Sequence, residues 1–149
     1  MKIIEYDSET HNEWRSRIRQ TSWSAAEFLS SLLDDDIALE EALGPGMRLF
    51  LLTKDNSLLA FATLSQIDAI RDTLLRPWIG FIYTSPEYRL QGHARRLLEH
   101  IESEARQQGE AAVYLATDHT DFYERLGYTY LYDRLDHRGD MSRVYCKRL

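Results

Sequence analysis

Between residues 78 and 117 two apolar runs, WIGFIYT and AAVYLAT, flank a long polar stretch with helical periodicity. Within it Ala94, Leu97, Leu98, Ile101 and Ala105 form one stripe, while Arg95, Arg96, Glu99, Glu102 and Arg106 lie off it. Short runs that are apolar throughout suit strands buried on both faces. Two such strands joined through a helix pair in parallel, with a right-handed crossover. This unit constrains the fold more than any other feature of the chain.

The rest of the chain is read around it. KIIEY (2–6) predicts a strand. Thr10 and Glu13 have capping-box spacing, with Trp14 and Ile18 following at i, i+4, so a short first helix is expected. Ser24 and Glu27 repeat the spacing, and Ala25, Phe28, Leu29, Leu32 and Leu33 predict one face of a second helix. Asp34 to Asp36 oppose its dipole and mark its end or a break, and GPG at 44–46 is a stop. MRLFLLT (47–53) and LLAFATLSQID (58–68) read as a hairpin about KDNS, followed by a polar connection over 69–76. Beyond the central unit, Gly109 reads as a helix cap, and DHTDFYERLG as a short helix ending at Gly127. Residues 128–133 and 141–149 read as two final strands. The expectation is one α/β domain over 1–149, a mixed sheet with helices on its faces.

Composition narrows the function. No apolar run approaches the ~20 residues of a membrane span, and MKIIEYDSET is too short and too charged for a signal peptide. The single cysteine, Cys146, forbids an internal disulfide and a four-cysteine zinc site; it reads as a core residue of the last strand, in a cytoplasmic setting. A net charge of −6 argues against a general nucleic-acid binder. No metal, membrane or nucleic-acid partner is expected.

Gly92 then stands out, because it weakens the first turn of the best helix. A helix start exposes about four unpaired N–H groups with partial positive charge, to which phosphate is a natural ligand. Close approach of a pyrophosphate requires small side chains, which Gly92 and Ala94 provide, and Arg89 adds a cation. The second glycine and Lys-Ser/Thr pair of a P-loop are absent, as are the three glycines of a dinucleotide fingerprint. A tight turn before a core helix is the competing reading.

The segment 78–132 resembles the Gcn5-related N-acetyltransferase superfamily. Arg89, Gly92 and Ala94, with Pro86 upstream, match its Arg/Gln-x-x-Gly-x-Gly/Ala motif, and Phe122, Tyr123, Glu124, Gly127 and Tyr128 match its second motif. The resemblance implies the acyl-CoA N-acyltransferase fold: a mostly antiparallel sheet with a central splayed parallel pair and helices on both faces. It implies acetyl-CoA as acyl donor. The backbone of Ile82, Tyr83 and Thr84 would pair with the pantetheine arm, and the amides of Leu90, Gln91, Gly92, His93, Ala94 and Arg95 would hold the pyrophosphate beside Arg89. Tyr123 would be the acid near the thioester sulfur.

The strand glutamate that serves some members as base falls at Trp78 here, so that base is missing. Glu87 and His93 read as solvated loop residues, Asp118 or Thr120 as a helix cap, and His119 as a further group near the cleft; none is named as base. Trp14, Trp23 and Trp78 are candidates for core or acceptor pocket, and Asp34–Asp36 for a solvated run or a lure for a cationic acceptor. The function implied is direct N-acetylation of a primary amine on a small molecule or peptide. Two alternatives are a non-catalytic acyl-CoA-binding or regulatory module and a purely structural α/β domain. Acceptor, acyl-chain length and dimerisation stay open.

Overall fold

The computed structural model describes residues 1–9 and 12–149. Its elements run β1 (Lys2–Glu5), α1 (Asn12–Arg19), α2 (Ser24–Leu33), α3 (Asp36–Leu43), β2 (Arg48–Lys54), β3 (Ser57–Ser65), β4 (Trp78–Thr84), α4 (His93–Gln107), β5 (Ala112–Thr117), β6 (Thr129–Leu135) and β7 (Met141–Arg148). The seven strands form one sheet in the order β1-β2-β3-β4-β5-β7-β6. Only β4 and β5 pair in parallel; every other neighbouring pair is antiparallel. This is the mixed α/β sheet expected, with β4 and β5 as the strands that flank the crossover helix.

Period-two alternation sorts the strand side chains onto two faces. Phe50, Leu52, Ala62, Leu64, Ile79, Val113 and Leu115 pack on one face against Leu97, Leu98, Ile101 and Ala105 of α4. Leu49, Leu51, Phe61 and Tyr83 pack on the other, against Trp14 and Ile18 of α1 and Ala26, Leu29 and Leu33 of α2. Trp78 and Val144 form a smaller cluster with Ile70, where the connection before β4 folds back over the sheet.

Several local expectations are corrected. Thr10, the proposed cap of α1, lies outside the described residues. Ser24 begins α2 and does not cap it; Trp23 holds the cap position, with no side-chain hydrogen bond. Phe28 is 49% exposed, while Ala26 and Ser30 are buried, so the buried stripe of α2 is rotated from the one expected. The acidic run is the break between two helices. Asp34 pairs with Arg15 and Arg19 at 3.0 and 2.9 Å, and Asp35 accepts from the amides of Ile37 and Ala38, nucleating the unforeseen α3. β3 ends at Ser65, which leaves Gln66 to Asp68 in the connection.

Candidate active site

The sheet opens at its centre. β4 and β5 share a single pair, Trp78 with Tyr114, extended by the bond from Tyr114 N–H to Pro77 O at 3.1 Å. The cause lies in β4. Its ladder with β3 pairs Phe61 with Tyr83 and Thr63 with Gly80, so Phe81 and Ile82 stand opposite Ala62 alone. Phe81 takes φ 49°, an uncommon conformation for a bulky residue. A bulge of this kind bends its strand. Beyond it the facing backbone groups of β4 and β5 make no ladder pairs among the described residues, and such groups call for another partner.

The same strand leads through a short 3₁₀ turn, Pro86–Tyr88, into α4. Leu90 and Gly92 both occupy the left-handed region, at φ 64° and 80°. A Cβ on Gly92 would meet no heavy atom within 4 Å. The left-handed φ favours the glycine, and the missing side chain leaves the space above the helix start open. Arg96 N–H makes the bond to Gly92 O at 3.1 Å, so the amides of His93, Ala94 and Arg95 have no intrahelical acceptor. Consecutive amides in a turn with left-handed residues form an anion-binding concavity.

These two features border one cleft of ≈ 580 Å³. Ile82, Tyr83 and Thr84 line it from β4, and Arg89, Leu90, Gly92, His93, Ala94 and Arg95 from the loop and helix start; Tyr123 lines it as well. Of the residues assigned from sequence to acetyl-CoA binding or to the acid role, Gln91 alone lies off the lining; its side-chain amide turns back to Glu87 O at 3.4 Å. His93, expected to be solvated, is 8% exposed and packs edge-on to Tyr88. His119 is on the lining, whereas Glu87 and Asp118 are not. The sequence reading missed Tyr88, Arg125 and Leu126, which carry no motif signal of their own. Arg89, Arg95 and Arg125 put three guanidinium groups on a wall without a carboxylate, in a chain of net charge −6. Arg89 Nε donates to Thr84 O at 3.0 Å, and Arg95 donates to Arg125 O at 3.2 Å, so the loop is fastened from both sides.

Tyr123 is held rigidly. Its carbonyl accepts from Leu126 and Tyr128 N–H, both at 3.0 Å, and its ring packs edge-on to Phe122 and Tyr128. Its hydroxyl has no hydrogen-bond partner among the described residues. Burial, with smaller contributions from Asp118 and Tyr145, pushes its pKa up to about 12, so it keeps its proton at neutral pH. Beneath it Glu102 accepts from Tyr128 Oη at 2.8 Å and from Lys147 Nζ at 2.9 Å, and Lys147 also donates to Leu126 O at 2.8 Å. Glu102 was expected off the apolar stripe, yet it is buried, because these two partners compensate its charge. Asp118 and Thr120 cap no helix; the turn uses Thr117 Oγ1, which accepts from His119 N–H.

A second cavity of ≈ 470 Å³ lies on the α1–α2 side of the sheet. Trp23 lines both cavities, stacked on Tyr83 at 5.4 Å. Trp14 and Trp78 are core residues at 5% and 1% exposure, and neither lines either of these two cavities, whereas Trp23 lines both. Neither cavity includes Asp34 to Asp36. Cys146 is half-buried in β7. Among the described residues no helix is long and apolar enough to cross a membrane, and no His, Cys, Asp and Glu cluster is placed to hold a metal.

A family model described as the acetyltransferase (GNAT) family matches residues 9–128. No curated protein matches the chain by sequence. Among solved structures, an aminoglycoside 6′-N-acetyltransferase complexed with coenzyme A superposes with TM-score 0.72 at 18% identity, covering 99% of this chain and 97% of that one. The aminoglycoside 6′-N-acetyltransferase from Enterococcus faecium gives TM-score 0.72 at 17% identity, with the same coverage of 99% and 97%. The ribosomal-protein-S18-alanine N-acetyltransferase from Escherichia coli gives 0.67 at 20%, covering 99% and 92%.

Proposed function

This chain belongs to the GNAT family of acetyltransferases, and we propose that it transfers the acetyl group of acetyl-CoA directly to a primary amine, with no covalent enzyme intermediate. The observation that carries this reading is the meeting, in one cleft, of a splayed strand pair with a helix start open above its amides and ringed by arginines. When bound, acetyl-CoA supplies an acyl group activated as a thioester. The backbone of Ile82 to Thr84 pairs with its amide-bearing arm, as a third strand would. The amides of Gly92 to Arg95 and the free face of the Arg89 guanidinium neutralise its pyrophosphate. Tyr123 Oη would donate a hydrogen bond to the departing sulfur.

The acceptor is an amine on a small molecule or a peptide. Structural neighbours of this chain include an aminoglycoside 6′-N-acetyltransferase and a ribosomal-protein-S18-alanine N-acetyltransferase. The lone cysteine suits a cytoplasmic enzyme. The test has two parts. Acetyl-CoA at about a hundred times its Kd should stabilise the fold by ~2.7 kcal/mol, a rise of roughly 5–10 °C in Tm for a chain of this size. A panel of primary amines should then give amine-dependent thiol release. An unchanged Tm overturns the cleft assignment, and a stabilised protein that releases no thiol with any amine overturns the transfer.

A further inference from the structure

The second cavity is lined by one carboxyl group, that of Asp68. Asp68 lies in the connection between β3 and β4, in a stretch the hairpin pattern assigned to a strand. Its Oδ1 stands only 2.3 Å from where a Cβ on Gly80 would be, and Oδ2 2.9 Å, so the carboxyl lies directly on β4 at a place only glycine leaves open. Gly80 is two residues, or ~7 Å of strand, from Ile82 on the wall of the first cleft. Across the ladder from Gly80 stands Thr63, whose buried Oγ1 has no hydrogen-bond partner among the described residues. Directly paired residues share a face, so an unpaired hydroxyl and a desolvated carboxyl occupy the same side of the sheet.

The walls of this cavity are apolar. Phe28 and Phe81 pack together at 6.3 Å, Phe81 packs edge-on to Trp23 at 6.4 Å, and Ala25 and Ala116 complete the enclosure. This explains why Phe28 stands exposed on α2: it faces the cavity and not the core. The other ionisable groups on the lining are Arg71, His137 and Arg138. Arg71 donates to Glu41 O at 3.3 Å, His137 Nδ1–H donates to Ala69 O at 3.2 Å, and Arg138 follows it in the β6–β7 turn.

We propose that Asp68 is the group that receives the proton of the acceptor's ammonium, and that the acceptor carries a single amine on an apolar, aromatic-sized body seated among Trp23, Phe28 and Phe81. This rests on the acetyltransferase reading and supplies the base that the Trp78 position lacks. The ammonium N–H bond breaks and its proton passes to an Asp68 oxygen. The nitrogen lone pair forms the amide bond as the C–S bond breaks with its electrons on sulfur. The second nitrogen proton goes to that sulfur, and Asp68 returns its own proton to water. Arg71 and Arg138 leave no favourable place for a second ammonium, which sets this acceptor apart from polyamines.

Burial raises the pKa of Asp68, and the Ala69 amide, Arg71 and His137 only partly oppose it. A raised acid costs the fold stability once pH climbs through its folded pKa.

The experiment compares wild type with Asp68→Asn, using phenethylamine, aniline and spermidine as acceptors. Wild type should prefer phenethylamine to spermidine. Asp68→Asn should lower kcat/KM for phenethylamine by roughly 10²–10⁴-fold and lose the acidic limb of its pH profile. For aniline, already deprotonated at neutral pH, the loss should be at least tenfold smaller. Without any substrate, Asp68→Asn should melt higher than wild type at pH 8, the gap closing on acidification. Gly80→Ala displaces the carboxyl without changing it and should reproduce the kinetic loss if the asparagine variant fails to fold. Wild-type kinetics in a folded Asp68→Asn, or a lower Tm at pH 8, overturns the role of Asp68 while leaving acetyl transfer intact. A preference for spermidine overturns the acceptor class, and thiol release by neither protein with any amine overturns the underlying reading and this inference with it.

Discussion

Replacing Tyr123 by phenylalanine removes one oxygen from the cleft, and the structure sets the size of the effect. The phenol has a pKa of about 12, whereas an ordinary thiol lies near ~8.5. Complete transfer of its proton to a thiolate is thus uphill by about 3.5 pKa units, or ~5 kcal/mol. In the proposed reaction Tyr123 would therefore donate a hydrogen bond to the charge that develops on sulfur and keep its proton. A hydrogen bond to a charged group contributes about 1.5–3 kcal/mol, so Tyr123→Phe should reduce kcat by roughly 10–150-fold with little change in KM for acetyl-CoA. The hydroxyl has no hydrogen-bond partner among the described residues, so its removal should move stability by under ~0.5 kcal/mol.

The pH dependence has a definite sign. A phenol raised to about 12 stays protonated through the working range, and the stability it is linked to is lost only as pH rises from ~10 through 12. The ratio of wild-type to variant kcat should therefore be flat from pH 7 to 10, measured by thiol release under saturating acetyl-CoA. A variant with wild-type kcat would refute the reasoning. So would a ratio that collapses within that window, since it would mean the phenol ionises where burial forbids it.

Two further perturbations separate conformation from binding. Gly92→Ala places a side chain at φ 80° but in open space; it should cost about 1–2 kcal/mol in thermal unfolding and retain part of the acetyl-CoA shift, whereas Gly92→Glu should cost a similar amount and lose the shift entirely, as read by Tm with and without acetyl-CoA. Glu102→Ala strips Lys147 and Tyr128 of a shared buried acceptor and should destabilise by about 3 kcal/mol, with unfolding followed in urea and kcat unchanged at temperatures where the protein stays folded.

Local pattern made much of this molecule legible. β4, α4 and β5 announce themselves because periodicity and apolar runs depend only on neighbours in the chain, and the Gly92 turn follows from one residue's conformational freedom. The same locality explains the misreadings. Phe28 has the right i, i+4 spacing for the buried stripe of α2, but which arc of a helix is covered depends on what packs there, and a cavity lies opposite it. Glu102 and His93 were assigned outward by residue type, while their burial depends on Tyr128, Lys147 and Tyr88. The α3 cap was hidden because a run of three aspartates looks like a solvated patch until the chain turns at Asp35.

The order of the strands along the chain, the α4 crossover between β4 and β5 and the turn that bares the helix start were thus dictated by the sequence itself, since each is marked by a pattern a few residues long. The bulge that parts β4 from β5, the sharing of Trp23 between two cavities and the seating of the Asp68 carboxyl on Gly80 were decided only in three dimensions. Desolvation and proximity belong to the assembled neighbourhood: the surroundings of Asp68 come from β4, the connection before it and the β6–β7 turn, and no stretch of sequence contains them together.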